Sequence, residues 1–140
     1  MATSATHVPA HTLAPSNRRL WSGRVLTGAV GLFLLMDTTI HLANIAPVRE
    51  SSTRLALPLG LAPVIGAVEL VCLVAYLLPR TALAGAVLLT GYLGGAVAIQ
   101  LRAGSPLFAE ALFPIYVGIL AWVGLLLRRP GLLTVLRSSH

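Results

Sequence analysis

Charge is what this sequence lacks most. Only 10% of its 140 residues are charged while 56% are hydrophobic, whereas a soluble domain carries about a quarter charged residues. With a mean hydropathy of +0.87, the composition points to a membrane protein. Cysteine is nearly absent as well. Cys72 stands alone, which excludes an internal disulfide, a C-x-x-C redox pair and a cysteine-based zinc site. Within an apolar run it reads as a buried structural thiol. Lysine is missing altogether, so all ten basic residues are arginine. Their excess gives a net charge of +6, but they flank apolar runs rather than share one face. That pattern speaks for topology beside anionic headgroups and against a nucleic-acid partner.

What the chain does have is four apolar segments, expected over 25–45, 62–78, 81–101 and 108–127. Each is near the roughly 20 residues that cross about 30 Å of hydrocarbon. The first is too long for a signal-peptide core and lacks a convincing cleavage site, so it is expected to remain. Residues 1–20 read as a disordered cytoplasmic tail and 130–140 as a second cytoplasmic tail, with one membrane domain over 21–129. His7 and His11 have an i,i+4 spacing, but Pro9 between them argues against a helix and a metal pair there. The expected fold is all-α: an antiparallel bundle of four transmembrane helices. A short interfacial segment, "APVRESSTRLALPLGL", is expected between the first two, and "PR" alone (Pro79 and Arg80) joins the second and third in a tight hairpin.

Arginine placement sets the orientation. Arg18, Arg19, Arg24, Arg80, Arg128, Arg129 and Arg137 lie on one side, against Arg49, Arg54 and Arg102 on the other. The positive-inside rule then puts both termini in the cytoplasm. On the third span, Gly91 and Gly95 have the GxxxG spacing that lets helix backbones approach in lipid, and they are expected to pack against a neighbouring helix.

Polar residues inside the spans carry the functional signal. Asp37 is thirteen residues past Arg24, so it lies roughly 20 Å from the cytoplasmic boundary at about 1.5 Å per residue. Glu69 enters from the other side and reaches the same level, as do Tyr92 and Tyr116. His41 stands one turn above Asp37 on the same face, and Asn44 continues the stripe. Gln100, Arg102 and Glu110 fall near the outer mouth. Glu69, Cys72 and Tyr76 share a face. A charge at the bilayer centre costs at least about 2.5–3.5 kcal/mol, so Asp37 and Glu69 should face the bundle interior. Two carboxyls in one dry layer also disfavour each other's charge unless a cation intervenes, with His41 the best-placed candidate and Arg102 able to reach down. Phe33, Phe113 and Trp122 read as packing. No metal site is expected, and a haem ligand role for His41 lacks a second imidazole.

The motifs "LTGAVGLFLLMD", "LPLGLAPVIGAVELVCLVAYLLPRTALAGAVLLTGYLGGAVA" and "LRAGSPLFAEALFPIYVGILAWVGLLLR" resemble the DoxX-like family of small bacterial membrane proteins, over roughly Val25 to Arg128. The resemblance implies a four-helix bundle in the bacterial cytoplasmic membrane. Some relatives are named as subunits of quinone-linked sulfur oxidation or of membrane oxidoreductase complexes. Asp37 and Glu69 match acidic positions of the family. His41 stands where lysine is frequent, and Gln100 where histidine is frequent, which weakens a relay or metal site built on that histidine.

The leading functional expectation is an accessory or redox-associated subunit with a pocket in the outer leaflet. Asp37, His41, Glu69, Tyr92, Gln100 and Tyr116 would handle protons or bind a quinone or another small apolar molecule. A quinone's carbonyls need donors and take protons on reduction. Electrons would come from a partner subunit, since the chain shows no redox centre of its own. A homo-oligomer in membrane lipid is compatible with this reading. Two alternatives stay open: a self-contained isomerase or hydrolase of a lipophilic substrate, with a carboxylate as general acid or base, and a structural or assembly protein whose polar layer only joins helices.

Overall fold

The computed structural model describes residues 17–58 and 60–132. Of the disordered tail expected over 1–20, residues 1–16, with His7 and His11, lie outside the described residues, as does most of the C-terminal tail; residues 17–20 are helical instead. Among the described residues the elements are five α-helices and one π-helical turn, without strands. The helices are α1 (Asn17–Leu42), α2 (Ala46–Arg54), α3 (Leu61–Leu77), α4 (Ala82–Arg102) and α5 (Phe113–Arg128), with the π-helical turn at Leu107–Ala111 before α5.

Local chemistry sets the boundaries. α1 begins eight residues before the expected span and absorbs "NRRLWSGR", because nothing there breaks a helix. It stops at Leu42, three residues early. Asn44 takes a left-handed φ of 47°, a conformation that ends helices and that asparagine tolerates. Asn44 therefore does not extend the polar stripe of α1. Pro47 then sits in the first turn of α2, where its missing N–H costs nothing. α3 ends just before Pro79, and the Thr81 hydroxyl donates to the Ala75 carbonyl at 2.8 Å across the hairpin. Gly104 follows α4 at φ +70°. Pro114 opens α5, which starts five residues later than expected because the π-helical turn precedes it.

Among the described residues, three stretches are long and apolar enough to cross a membrane: Asn17–Leu42, Ala82–Arg102 and Leu107–Arg128. α3 is equally apolar but has 17 residues, about 26 Å at 1.5 Å each. α1 packs on α3 and α5, and α4 packs on α3 and α5. Leu34, Leu73, Leu89 and Leu125 form the core around Tyr76, which has no exposed surface. Leu32, Val71, Val87 and Ile119 point outward and are exposed, as side chains facing lipid should be.

The close approaches are made by small residues other than the expected pair. A Cβ added at Gly91 or Gly95 meets nothing within 4 Å, so neither glycine seats another helix of this chain. One added at Gly85 runs into the Tyr76 and Ala75 backbone. At Gly23 it comes 2.7 Å from the Arg128 nitrogen, and at Gly124 2.9 Å from the Thr27 hydroxyl. Helix contact in lipid rests on such small residues. Tyr76 joins the same half of the bundle: its hydroxyl donates to the Ala121 carbonyl at 2.8 Å, and the Arg128 guanidinium lies 5.0 Å from its ring centre.

Candidate functional site

The i,i+4 spacing of Asp37 and His41 places both on one face of α1. His41 Nδ1 donates to the Asp37 carbonyl at 3.0 Å and lies 3.3 Å from Asp37 Oδ2. A carbonyl can only accept, so Nδ1 carries the hydrogen of this bond, and Nε2 is the ring nitrogen left free. Gly66 of α3 admits this face. A Cβ there would stand 3.0 Å from His41 Cβ, so the two helices close up at this level. One turn further along α3, Glu69 is fully buried between α1 and α4. Tyr92 of α4 donates its hydroxyl to Glu69 Oε2 at 3.2 Å. Glu69 Oε1 and the Thr38 hydroxyl are both buried without a hydrogen-bond partner. Each of Asp37, His41 and Glu69 offers one donor atom, all within 4.8 Å of one another.

This cluster lies on the wall of a cavity of about 490 Å³, within the 300–1,000 Å³ typical of small-molecule sites. Most of the lining is apolar, including Phe33, Ile65, Ile99 and Phe113; Asp37, His41, Glu69, Tyr92 and Gln100 supply the polar groups. Val64 and Val68 of α3 and Gly91 and Gly95 of α4 also line it and are exposed, so it opens between these two helices. The two glycines leave room for the cavity. Phe33 and Phe113 meet edge to face at 5.5 Å on its α1–α5 side.

The segment after α2 closes one end. Leu55 and Leu57 line the cavity, and two contacts fasten this region to the distal part of α4 and the π-helical turn, while a third braces the loop after α4. Arg102 donates to the Leu55 carbonyl at 3.0 Å. Arg54 donates to Glu110 Oε1 at 3.2 Å, with its other terminal nitrogen 2.9 Å from Oε2. Ser105 donates to Gln100 Oε1 at 2.6 Å. Arg102 thus serves the strap instead of reaching down to the carboxylates.

Five of the six expected site residues line the cavity; Tyr116 does not. It lies 44% exposed on the outside of α5, while its neighbour Val117 faces inward. A residue count gives height along a helix but not direction around it, and successive side chains differ by about 100°. Leu55, Leu57 and Thr38 were missed. An apolar run directly after the proline-bounded α2 was the available signal for the two leucines.

Long apolar helices enclosing a small polar cluster define an integral membrane protein. The chain belongs to the DoxX-like family, whose sequence pattern matches residues 25–124. None of the curated proteins and none of the solved structures compared with the chain matches it.

Proposed function

We propose that the protein is a four-span antiparallel bundle of the bacterial cytoplasmic membrane, with both termini inside, that binds a small lipophilic molecule in the cavity between α1, α3 and α4. A quinone is the ligand class that the lining favours, and the role is that of an accessory subunit beside a redox partner. One observation carries the reading: a cavity opens through the α3–α4 face, and its apolar wall bears donors and acceptors at one spot. A lipophile can enter from the bilayer through that opening. Its ring would rest against Phe33, Ile65, Ile99 and Phe113. One carbonyl would accept from the Tyr92 hydroxyl, turned to it from Glu69 Oε2, and the other from Nε2–H of a protonated His41 held by Asp37, groups able to give and take protons.

A purely structural polar layer needs no cavity beside it, and its groups would pair with each other throughout. Here Glu69 Oε1 and the Thr38 hydroxyl approach each other without closing a hydrogen bond. The test is equilibrium binding of a short-chain ubiquinone to the purified protein in quinone-free lipid discs. Saturable binding at one site, weakened by Tyr92→Phe and untouched by Tyr116→Phe, supports the reading. Binding that never saturates, or that responds to both tyrosines alike, overturns it.

A further inference from the structure

We infer that Asp37, His41 and Glu69 form a binding site for one divalent transition-metal ion, with an open coordination position facing the cavity. The inference stands on the donor atoms and does not require the quinone reading. Three ligand-bearing side chains from two helices offer atoms within 4.8 Å of one another. Around a metal with bonds of about 2.0–2.2 Å, neighbouring ligand atoms in a tetrahedral site sit roughly 3.4 Å apart. The set is wider than such a shell by at most about 1.4 Å, a gap that rotation of long side chains such as Glu69 can span.

Glu69 supplies the second, independent observation. It has no exposed surface, and Oε1 has no partner within hydrogen-bond distance, the Thr38 hydroxyl approaching the carboxylate without closing a bond. An unsatisfied buried carboxylate oxygen is costly, and a cation is the partner such an atom lacks. Charge balance points the same way. A dication would let Asp37 and Glu69 both carry charge in the span region, which two neighbouring carboxyls otherwise oppose. The contact of His41 Nδ1 with the Asp37 carbonyl is of the kind that orients a ligating imidazole and fixes its tautomer.

The donor set also selects the class of metal. Calcium asks for six to eight oxygens and magnesium keeps most of its waters. One imidazole with two carboxylates suits zinc, iron(II) or cobalt(II). Three protein ligands leave a position free, the arrangement of reactive zinc centres rather than of structural ones. Here that position faces an apolar cavity.

The test uses the whole chain, purified without a polyhistidine tag, stripped with a chelator and placed in quinone-free lipid discs. Co²⁺ serves as the spectroscopic probe and Zn²⁺ as the competitor. The expected result is visible absorption that saturates at one Co²⁺ per chain and is displaced by Zn²⁺. Glu69→Gln and His41→Gln should each weaken binding at least about tenfold, equivalent to about 1.4 kcal/mol. The double change His7→Ala with His11→Ala should leave it intact. X-ray absorption on the parent protein decides the matter should the site variants not fold: a shell of oxygens with a single imidazole is expected. Absence of a saturable signal, a shell of several imidazoles, unchanged affinity in Glu69→Gln, or loss of binding with the two tail histidines would each overturn the inference. Because no quinone is present, none of these outcomes bears on the ligand reading.

Discussion

Gly85 and Gly95 lie on the same helix and differ only in what faces them, so the pair tests the packing directly. An added Cβ at Gly85 falls onto the backbone of Tyr76 and Ala75, atoms that cannot rotate away. α3 and α4 must then separate by about an ångström. A buried leucine makes 40–60 contacts worth about 0.1–0.2 kcal/mol each, roughly 4–12 kcal/mol in all, and a gap of 0.5–1 Å forfeits a quarter or more of each. For Leu89 at this contact the loss is therefore roughly 1–3 kcal/mol by the same arithmetic. Overpacking a tight core costs a similar 1–3 kcal/mol, or more. Gly85→Ala should accordingly destabilise the protein by at least about 2 kcal/mol, taking the middle of that range. Gly95→Ala should stay within about 0.5 kcal/mol, as substitutions away from any packing feature do. Unfolding titrations of both variants in mixed micelles, followed by far-ultraviolet circular dichroism, give the comparison. Equal losses, or a larger loss at Gly95, would refute the account of how α3 and α4 meet.

Other consequences concern single contacts. Tyr76→Phe removes the hydroxyl bond to the Ala121 carbonyl and should cost about 1 kcal/mol, since interhelical hydrogen bonds in lipid reach about 0.6–1.7 kcal/mol; the same unfolding titration reads it. Arg54→Ala breaks the exposed pair with Glu110, so stability should fall by less than about 1 kcal/mol. Exchange of bound quinone, followed by stopped flow, should nevertheless quicken because the Leu55–Leu57 strap is loosened; an unchanged rate would show that the strap does not gate the cavity. Asp37→Asn and Glu69→Gln should be non-additive in stability, because each removes a charge that the other feels. A double-mutant cycle summing within about 0.3–0.5 kcal/mol would mean that the carboxyls act independently. With Cys72 replaced by alanine, a cysteine at Ser139 should resist labelling from outside intact cells, and ready labelling there would reverse the topology.

Helix positions and the polar level were legible in the sequence because both depend on counting. Apolar runs and prolines mark where helices cross and stop, and a rise per residue converts position into depth. That is why Asp37 and Glu69 fall at one level, with His41 one turn above, by counting alone. Direction around an axis is harder to count, and Tyr116 shows the consequence. Small residues were misread for a related reason. Gly91 and Gly95 match a packing motif, yet absent side chains admit either a neighbouring helix or a cavity, and only the neighbour's position decides which. Gly85 lies in a less conspicuous "ALAGA" run, but the tight turn over 78–81 before it forces α3 and α4 together at that level. The strap after α2 lies within the interfacial segment that the sequence leads one to expect between the first two spans. Its fastening by Arg54 and Arg102 depends on side-chain reach, which spacing alone does not give.

The central claim is that the cavity beside Asp37, His41 and Glu69 holds a small lipophilic molecule. Mass spectrometry of molecules copurified in native lipid discs tests it most directly when the parent is compared with Gly95→Phe, whose ring would occupy the space that the glycine leaves. The account predicts a lipophile present near one per chain in the parent and lost from a Gly95→Phe protein that still melts like the parent. The same molecule in equal amount in both proteins, or none in either, would contradict it.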